Sequence, residues 1–238
     1  MRDLVWIHGF PLSNDIFAPQ RAIGGANHLM PNLPGFGGTP ADADTIEGFA
    51  ASILAQHRGP AIFAGMSMGG YVAMQIARIA PELVEGLILI DTRETADTPE
   101  QRQGRFDTIA KVEKEGIAPV VEAMLPKMLT ANAPDALRAE VRRIMESSSR
   151  EGVIAGLRAM AGRPSSFPVL ASLTVPILIA VGEEDTITPP SDAERMANNV
   201  RHGTLLRIPD AAHLANMQQP GVFNEAVERF LGTIGNAR

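Results

Sequence analysis

Short, unbroken apolar runs, each closed off by turn residues, constrain this chain more than anything else in it. They fall at residues 4–7, 28–30, 61–64, 87–90, 177–181 and 204–208. Most lack two-residue alternation. A strand of that kind must be covered on both faces, as strands of a parallel sheet are. Helical patterns at 15–23, 45–57, 67–79, 191–199 and 222–234 separate the runs. Strand–helix alternation predicts an α/β fold with a wound sheet.

The rhythm breaks once, between residues 93 and 173, where no strand is legible. Four helices are expected instead, near 99–114, 117–129, 134–148 and 150–161, punctuated by Pro99, Gly116, Pro134 and Gly162. An all-helical insertion before the next-to-last strand should cap one edge of the sheet. The expected division is therefore a core of residues 1–92 and 165–238 and a helical cap of 93–164. With 45% apolar residues in 238, the chain can fill such a core. Its net charge of −6 disfavours nucleic acid or an anionic membrane as partner. The absence of cysteine excludes disulfides and thiolate chemistry. No apolar run approaches the ~18 residues of a membrane span, and the first residues lack a signal-peptide pattern. A cytoplasmic location is expected.

At the junction of the 61–64 run and the 67–79 helix stands Gly65-Met66-Ser67-Met68-Gly69. A serine between a strand and a helix, flanked two residues away by glycines, matches the nucleophile elbow. The tight turn strains the serine backbone and leaves no room for side chains at Gly65 and Gly69. The plainer reading is a glycine-rich turn with a capping serine. A serine hydroxyl needs a base. His213 is the candidate, in the loop between the last strand and the last helix; His28 reads as packed, His57 and His202 as surface residues. The imidazole needs a carboxylate. Asp185, after the 177–181 strand, is favoured over Asp91, after the 87–90 strand, although chain order admits both. For oxyanion donors the backbone N–H groups of Met68 and Phe10 are expected, with Gly9 allowing close approach and His8 bracing the loop. Arg93 could reach the pocket, but a salt bridge with Glu94 or Asp97 is the simpler expectation. No metal-binding spacing or nucleotide loop is present, so neither metal nor cofactor is expected.

The segments HGFP, NLPGFGGT, GMSMGG, LILIDTR, GEEDTITP and IPDAAHLANMQQP together resemble the α/β-hydrolase superfamily, in the style of bacterial carboxylesterases and the 3-oxoadipate enol-lactonase-like group. The resemblance implies Ser67 as nucleophile, Asp185 as acid, His213 as base, and Phe10 and Met68 as oxyanion donors. It departs from the family in two places. The chain begins almost at the His-Gly strand, without the usual N-terminal hairpin, so about six mainly parallel strands are expected. Asn32 also stands where relatives often carry aspartate.

The expected activity is cofactor-free hydrolysis of small carboxylic esters or lactones through an acyl-enzyme. Carbon–carbon bond hydrolysis and perhydrolysis would use the same triad. A noncatalytic small-ligand receptor on this fold is the alternative from another class. Oligomeric state is not legible.

Overall fold

A computed structural model describes residues 1–235; residues 236–238, the end of the expected core segment, lie outside the described residues. The six strands are β1 (Arg2–Ile7), β2 (Ala26–Leu29), β3 (Ala61–Met66), β4 (Val84–Ile90), β5 (Ile177–Gly182) and β6 (Gly203–Ile208). All neighbours pair in parallel, in the order β2-β1-β3-β4-β5-β6. β3 and β5 are buried at every residue, whereas β2 and β6 are the half-exposed edges. The apolar continuity of the sequence runs thus belongs to the central strands.

Within each strand, successive side chains still serve opposite layers. Val5, Ile7, Phe63, Leu87, Leu89, Ile177 and Ile179 pack in one layer with helices α1 (Ile46–Gln56) and α2 (Met68–Ile79). Leu4, Trp6, Ile62, Ile88, Ile90 and Leu178 face the other. There the last helix, Pro220–Gly235, presents Phe223, Val227, Phe230 and Ile234 at helical spacing.

Between β4 and β5 lie four longer helices, α3 (Pro99–Glu115), α4 (Ala118–Met128), α5 (Asp135–Glu146) and α6 (Arg150–Gly162). Their boundaries follow local chemistry. Thr98 and Gln101 form a reciprocal capping box ahead of α3, with Pro99 in the first turn. Ser149 caps α6 through the Gly152 N–H. The insertion packs into both apolar layers, Val120, Val153 and Leu157 in one and Val121, Leu125 and Ile144 in the other. It straddles the carboxyl edge of the sheet. Gly152 lies so close to Gly35 that a Cβ there would fall 2.0 Å from the Gly35 oxygen.

Three differences from the sequence reading have physical causes. The 15–23 segment is a 3-10 helix, Asn14–Ala22, with Pro19, which has no N–H to donate to a helical ladder, inside it. Two short helices, α7 (Phe167–Ser172) and α9 (Ala215–Gln218), are too short to show a period. They flank α8 (Pro190–Asn198) in the chain, and the terminal helix is α10.

The chain passes from β1 outward to β2 and returns to β3 on the other side of β1. The crevice at the carboxyl ends of β1 and β3 is therefore the topological switch point, where open α/β sheets bind ligands.

Candidate active site

Register brings the strand ends level: Ile7 pairs with Gly65, Met66 with Ile90, Ile90 with Ala180, and Gly182 with Ile208. Ser67, Asp91, Asp185 and His213 all follow these ends. Ser67 has φ 52° and ψ −114°, a strained conformation costing on the order of 1–3 kcal/mol. The turn is tight enough that a Cβ on Gly65 would meet the Gly69 oxygen at 2.2 Å. One on Gly69 would meet the Ile7 oxygen at 1.9 Å. Ser67 occupies the N-cap position of α2 yet makes no capping hydrogen bond. Its Oγ instead lies 2.9 Å from His213 Nε2. The plainer reading as a capping serine therefore does not hold.

His213 Nδ1 lies 2.8 Å from Asp185 Oδ2. Asp185 is held by three further donors: Ile187 N–H at 2.7 Å, Thr188 N–H at 3.0 Å and the Thr188 hydroxyl at 2.6 Å. The sequence reading missed Thr188; the Asp-x-x-Thr spacing of an Asx-type turn is the signal that marks it. Burial would raise the Asp185 pKa, but the His213 charge and these hydrogen bonds outweigh it and hold the carboxyl below its ordinary value. Burial would likewise lower His213. The charge and hydrogen bond of Asp185, with the charge of Asp91, outweigh burial and raise it, while Arg93 opposes them. The surroundings of the imidazole thus favour its charged form.

Asp91 is fully buried and has φ 43°. Its Oδ1 accepts the Gly182 N–H at 2.8 Å and its Oδ2 the Ala215 N–H at 3.1 Å. Its oxygens serve main-chain donors, while Asp185 meets the imidazole.

The β1 loop lies against the elbow: a Cβ on Gly9 would come within 3.1 Å of the Ser67 Cβ. Phe10 lines the same cavity as Ser67. The Met68 N–H sits in the first turn of α2, where no intrahelical acceptor exists. His8 is fully buried. Its Nε2 accepts the Leu33 N–H at 3.0 Å, which leaves Nδ1 to donate to the Gly9 oxygen at 2.9 Å. Burial lowers its pKa to about 4 against the Gly9 bond, so the ring is neutral and ties the β1 loop to the 33–36 loop. His28 is a packed residue, accepting from Trp6 Nε1 at 2.9 Å and bonding Ile23 O.

The cavity over Ser67 holds about 460 Å³. Phe10, Val120, Met124, Leu157, Met160 and Ile187 form apolar walls. Gln101, Arg105, Thr108 and Lys111 line it from one face of α3. Arg93 also lines it, but the pair expected with Glu94 or Asp97 does not form. Arg93 pairs with Asp192 at 3.4 Å and donates to Ile187 O. Glu94 is taken by Arg195, and Asp97 by Arg105 and Arg163. Among the described residues no cluster of His, Cys, Asp and Glu is placed to hold a metal ion. No helix among them is long and apolar enough to cross a membrane.

The fold is similar to that of a thermophilic esterase from Thermogutta terrifontis, solved with malate bound. The TM-score is 0.95 at 32% identity, over 98% of this chain and 90% of that one. A pimeloyl-[acyl-carrier protein] methyl ester esterase of Chromobacterium violaceum is 28% identical across 97% of this chain and 94% of its own length. The 3-oxoadipate enol-lactonase 2 of Acinetobacter baylyi is 26% identical over 172 residues, which span 71% of this chain but only 62% of the lactonase. The alpha/beta hydrolase family model matches residues 4–226, and the chain belongs to that family.

Proposed function

We propose that this α/β hydrolase cleaves small carboxylic esters or lactones through an acyl-enzyme. The observation that carries the reading is the unbroken hydrogen-bonded line Ser67–His213–Asp185 at the floor of a mainly apolar cavity. Ser67 Oγ attacks the carbonyl carbon as its proton passes to His213 Nε2. Asp185 holds the ring through Nδ1–H and stabilises the imidazolium. The N–H groups of Met68 and Phe10 face the developing oxyanion, and the dipole of α2 adds to their field. The imidazolium returns its proton to the leaving alkoxide. Water, deprotonated by His213, then releases the acid and restores Ser67. For a lactone both products are one hydroxy acid.

The cap, residues 93–164, selects the substrate. Its cavity lies within the usual range for small-molecule sites, roughly 300–1,000 Å³, and the methionines Met124 and Met160 make the walls adaptable. Substitution of Ser67 by alanine tests the reading. It should abolish labelling by a fluorophosphonate and lower turnover of p-nitrophenyl acetate by several powers of ten, with the fold retained. Turnover within about tenfold of the wild type would refute the acyl-enzyme route.

A further inference from the structure

Asp91 has no part in the mechanism above, yet it is among the most completely enclosed charged groups of the fold. Its two hydrogen bonds have different addresses. Gly182 ends β5 and opens the loop that carries Asp185; Ala215 begins α9, two residues beyond His213. The two loops also touch directly, the Glu184 N–H donating to Ala211 O at 2.9 Å. A Cβ on Gly182 would meet the Ala212 oxygen at 2.2 Å. The Asp91 backbone is fixed in turn, its N–H donating to Ala180 O at 2.9 Å, and the preceding carbonyl of Ile90 receives the Ser67 N–H at 2.8 Å. The Asp91 carboxylate therefore joins the loops that carry Asp185 and His213, while the strand end it stands on receives the Ser67 N–H.

We propose that Asp91 is a positioning residue for the base: a second buried carboxylate that clamps the acid and base loops together and shares with Asp185 the stabilisation of the His213 imidazolium. The inference rests on the reading of His213 as base. It also gives a physical reason for a buried aspartate held in the left-handed region, where a glycine would relieve the backbone and an asparagine would accept only one of the two N–H bonds. The charged groups that act on His213 are Asp185, Asp91 and, in opposition, Arg93. Those that act on Asp91 are Asp185 and His213; burial and the Asp185 charge raise the Asp91 pKa to about 7, against His213 and the two amide bonds. Asp91 and Asp185 are thus coupled to each other, and the charge of each acts on His213.

The test is the pH profile of kcat/KM for p-nitrophenyl acetate in the wild type and in Asp91→Asn. Rates are taken per active site titrated with a fluorophosphonate, so that misfolded protein drops out. The variant should lose roughly tenfold or more in kcat with little change in KM. Its acidic limb should move to lower pH by about half a unit or more, because the imidazolium loses one of its two negative neighbours. A residue with a purely structural role would lower the fraction of titratable sites and leave the limb in place. An unmoved limb with kcat per site within twofold of the wild type overturns the proposal.

Should Asp91→Asn fail to fold, the wild type itself decides. The proton on His213 Nδ1, followed by NMR, should not follow the single-step curve of an isolated imidazole, because the charge of Asp91 acts on the ring. A single step overturns the coupling. A wild type that no fluorophosphonate labels would instead refute the reading of Ser67 and His213, and so separates failure of that reading from failure of this one.

Discussion

Proton uptake by His8 in the unfolded chain should be a route by which mild acid lowers the stability of the fold. The ring is fully buried and neutral, with Nε2 as acceptor for the Leu33 N–H. Its pKa is lowered to about 4 from 6.5. In the unfolded chain the ring takes up a proton as pH falls through 6.5; in the folded chain it does not until about 4. Between those values the unfolded state binds more protons, so stability falls with falling pH, and below about 4 the loss levels off. From pH 7 to pH 5 the loss is about 2 kcal/mol, and its limit is about 3 kcal/mol. Asp91 acts in the opposite direction over the same range, since its pKa is raised to about 7, and it masks the effect in the wild type alone. The comparison with His8→Gln removes it. Glutamine keeps an acceptor for Leu33 N–H but does not titrate, and its pH-independent cost cancels between pH values. Urea unfolding of both proteins at pH 7 and pH 5 should show the wild type losing about 2 kcal/mol more than the variant, roughly 1 M in the urea midpoint. Parallel losses, within about 0.5 kcal/mol, would mean that His8 is not held neutral and that its bracing role is wrong.

Asp185→Asn should lower kcat by about three to four powers of ten, far more than Asp91→Asn, because an amide can favour the wrong tautomer of His213; steady-state kinetics on both variants decide, and a reversed order would make Asp91 the acid. The acidic limb of kcat/KM in the wild type should fall above the ordinary histidine value, since the His213 pKa is raised; activity then rises with pH through that limb, and a limb at pH 5 would contradict the geometry. Among p-nitrophenyl esters from acetate to palmitate, kcat/KM should peak at short or medium acyl chains, because the cavity of about 460 Å³ is roofed by α3, α4 and α6. A maximum at about twelve carbons or beyond would mean an open groove larger than sites of this class.

The parts of the fold legible in the sequence are those where one physical requirement dominates. Central strands must be apolar on both faces, so β3, β4 and β5 stand out. The edge strand β2 (Ala26–Leu29) reads less clearly, and β1 extends outward to Arg2 and Asp3, whose polar side chains reach solvent or partners such as Glu85 and Asn27. The serine was legible for a similar reason: only glycine fits at 65 and 69, so the turn shows through the composition. His213 stood out by its place between a strand and a helix. The carboxylate is marked less sharply: the loop position favours Asp185, but chain order admits Asp91 as well. Asp91 and Asp185 both follow a strand, and what separates them is which main-chain donors reach them first. Gly182 and Ala215 saturate one; His213, Ile187 and Thr188 surround the other. That partition depends on three loops meeting in space, and no local pattern encodes it. The same holds for Arg93, whose partner Asp192 lies on α8, nearly a hundred residues away.

Backbone strain has the same address as the chemistry. Among the described residues, those other than glycine with positive φ are Ser67, Asp91 and Asp210. Each lies within two residues of a strand's carboxyl end, after β3, β4 and β6. Each such conformation costs on the order of 1–3 kcal/mol and persists only where its surroundings leave no alternative. For Ser67 and Asp91 the surroundings are the level ends of central strands buried on both faces, whereas Asp210 is exposed after the edge strand β6. At Ser67 the sharp turn aims the hydroxyl at His213, and at Asp91 it aims the carboxylate at the Gly182 and Ala215 N–H groups. The core therefore does more than hold the molecule together. Its rigidity keeps Ser67 Oγ on His213 rather than on the helix end it would otherwise cap.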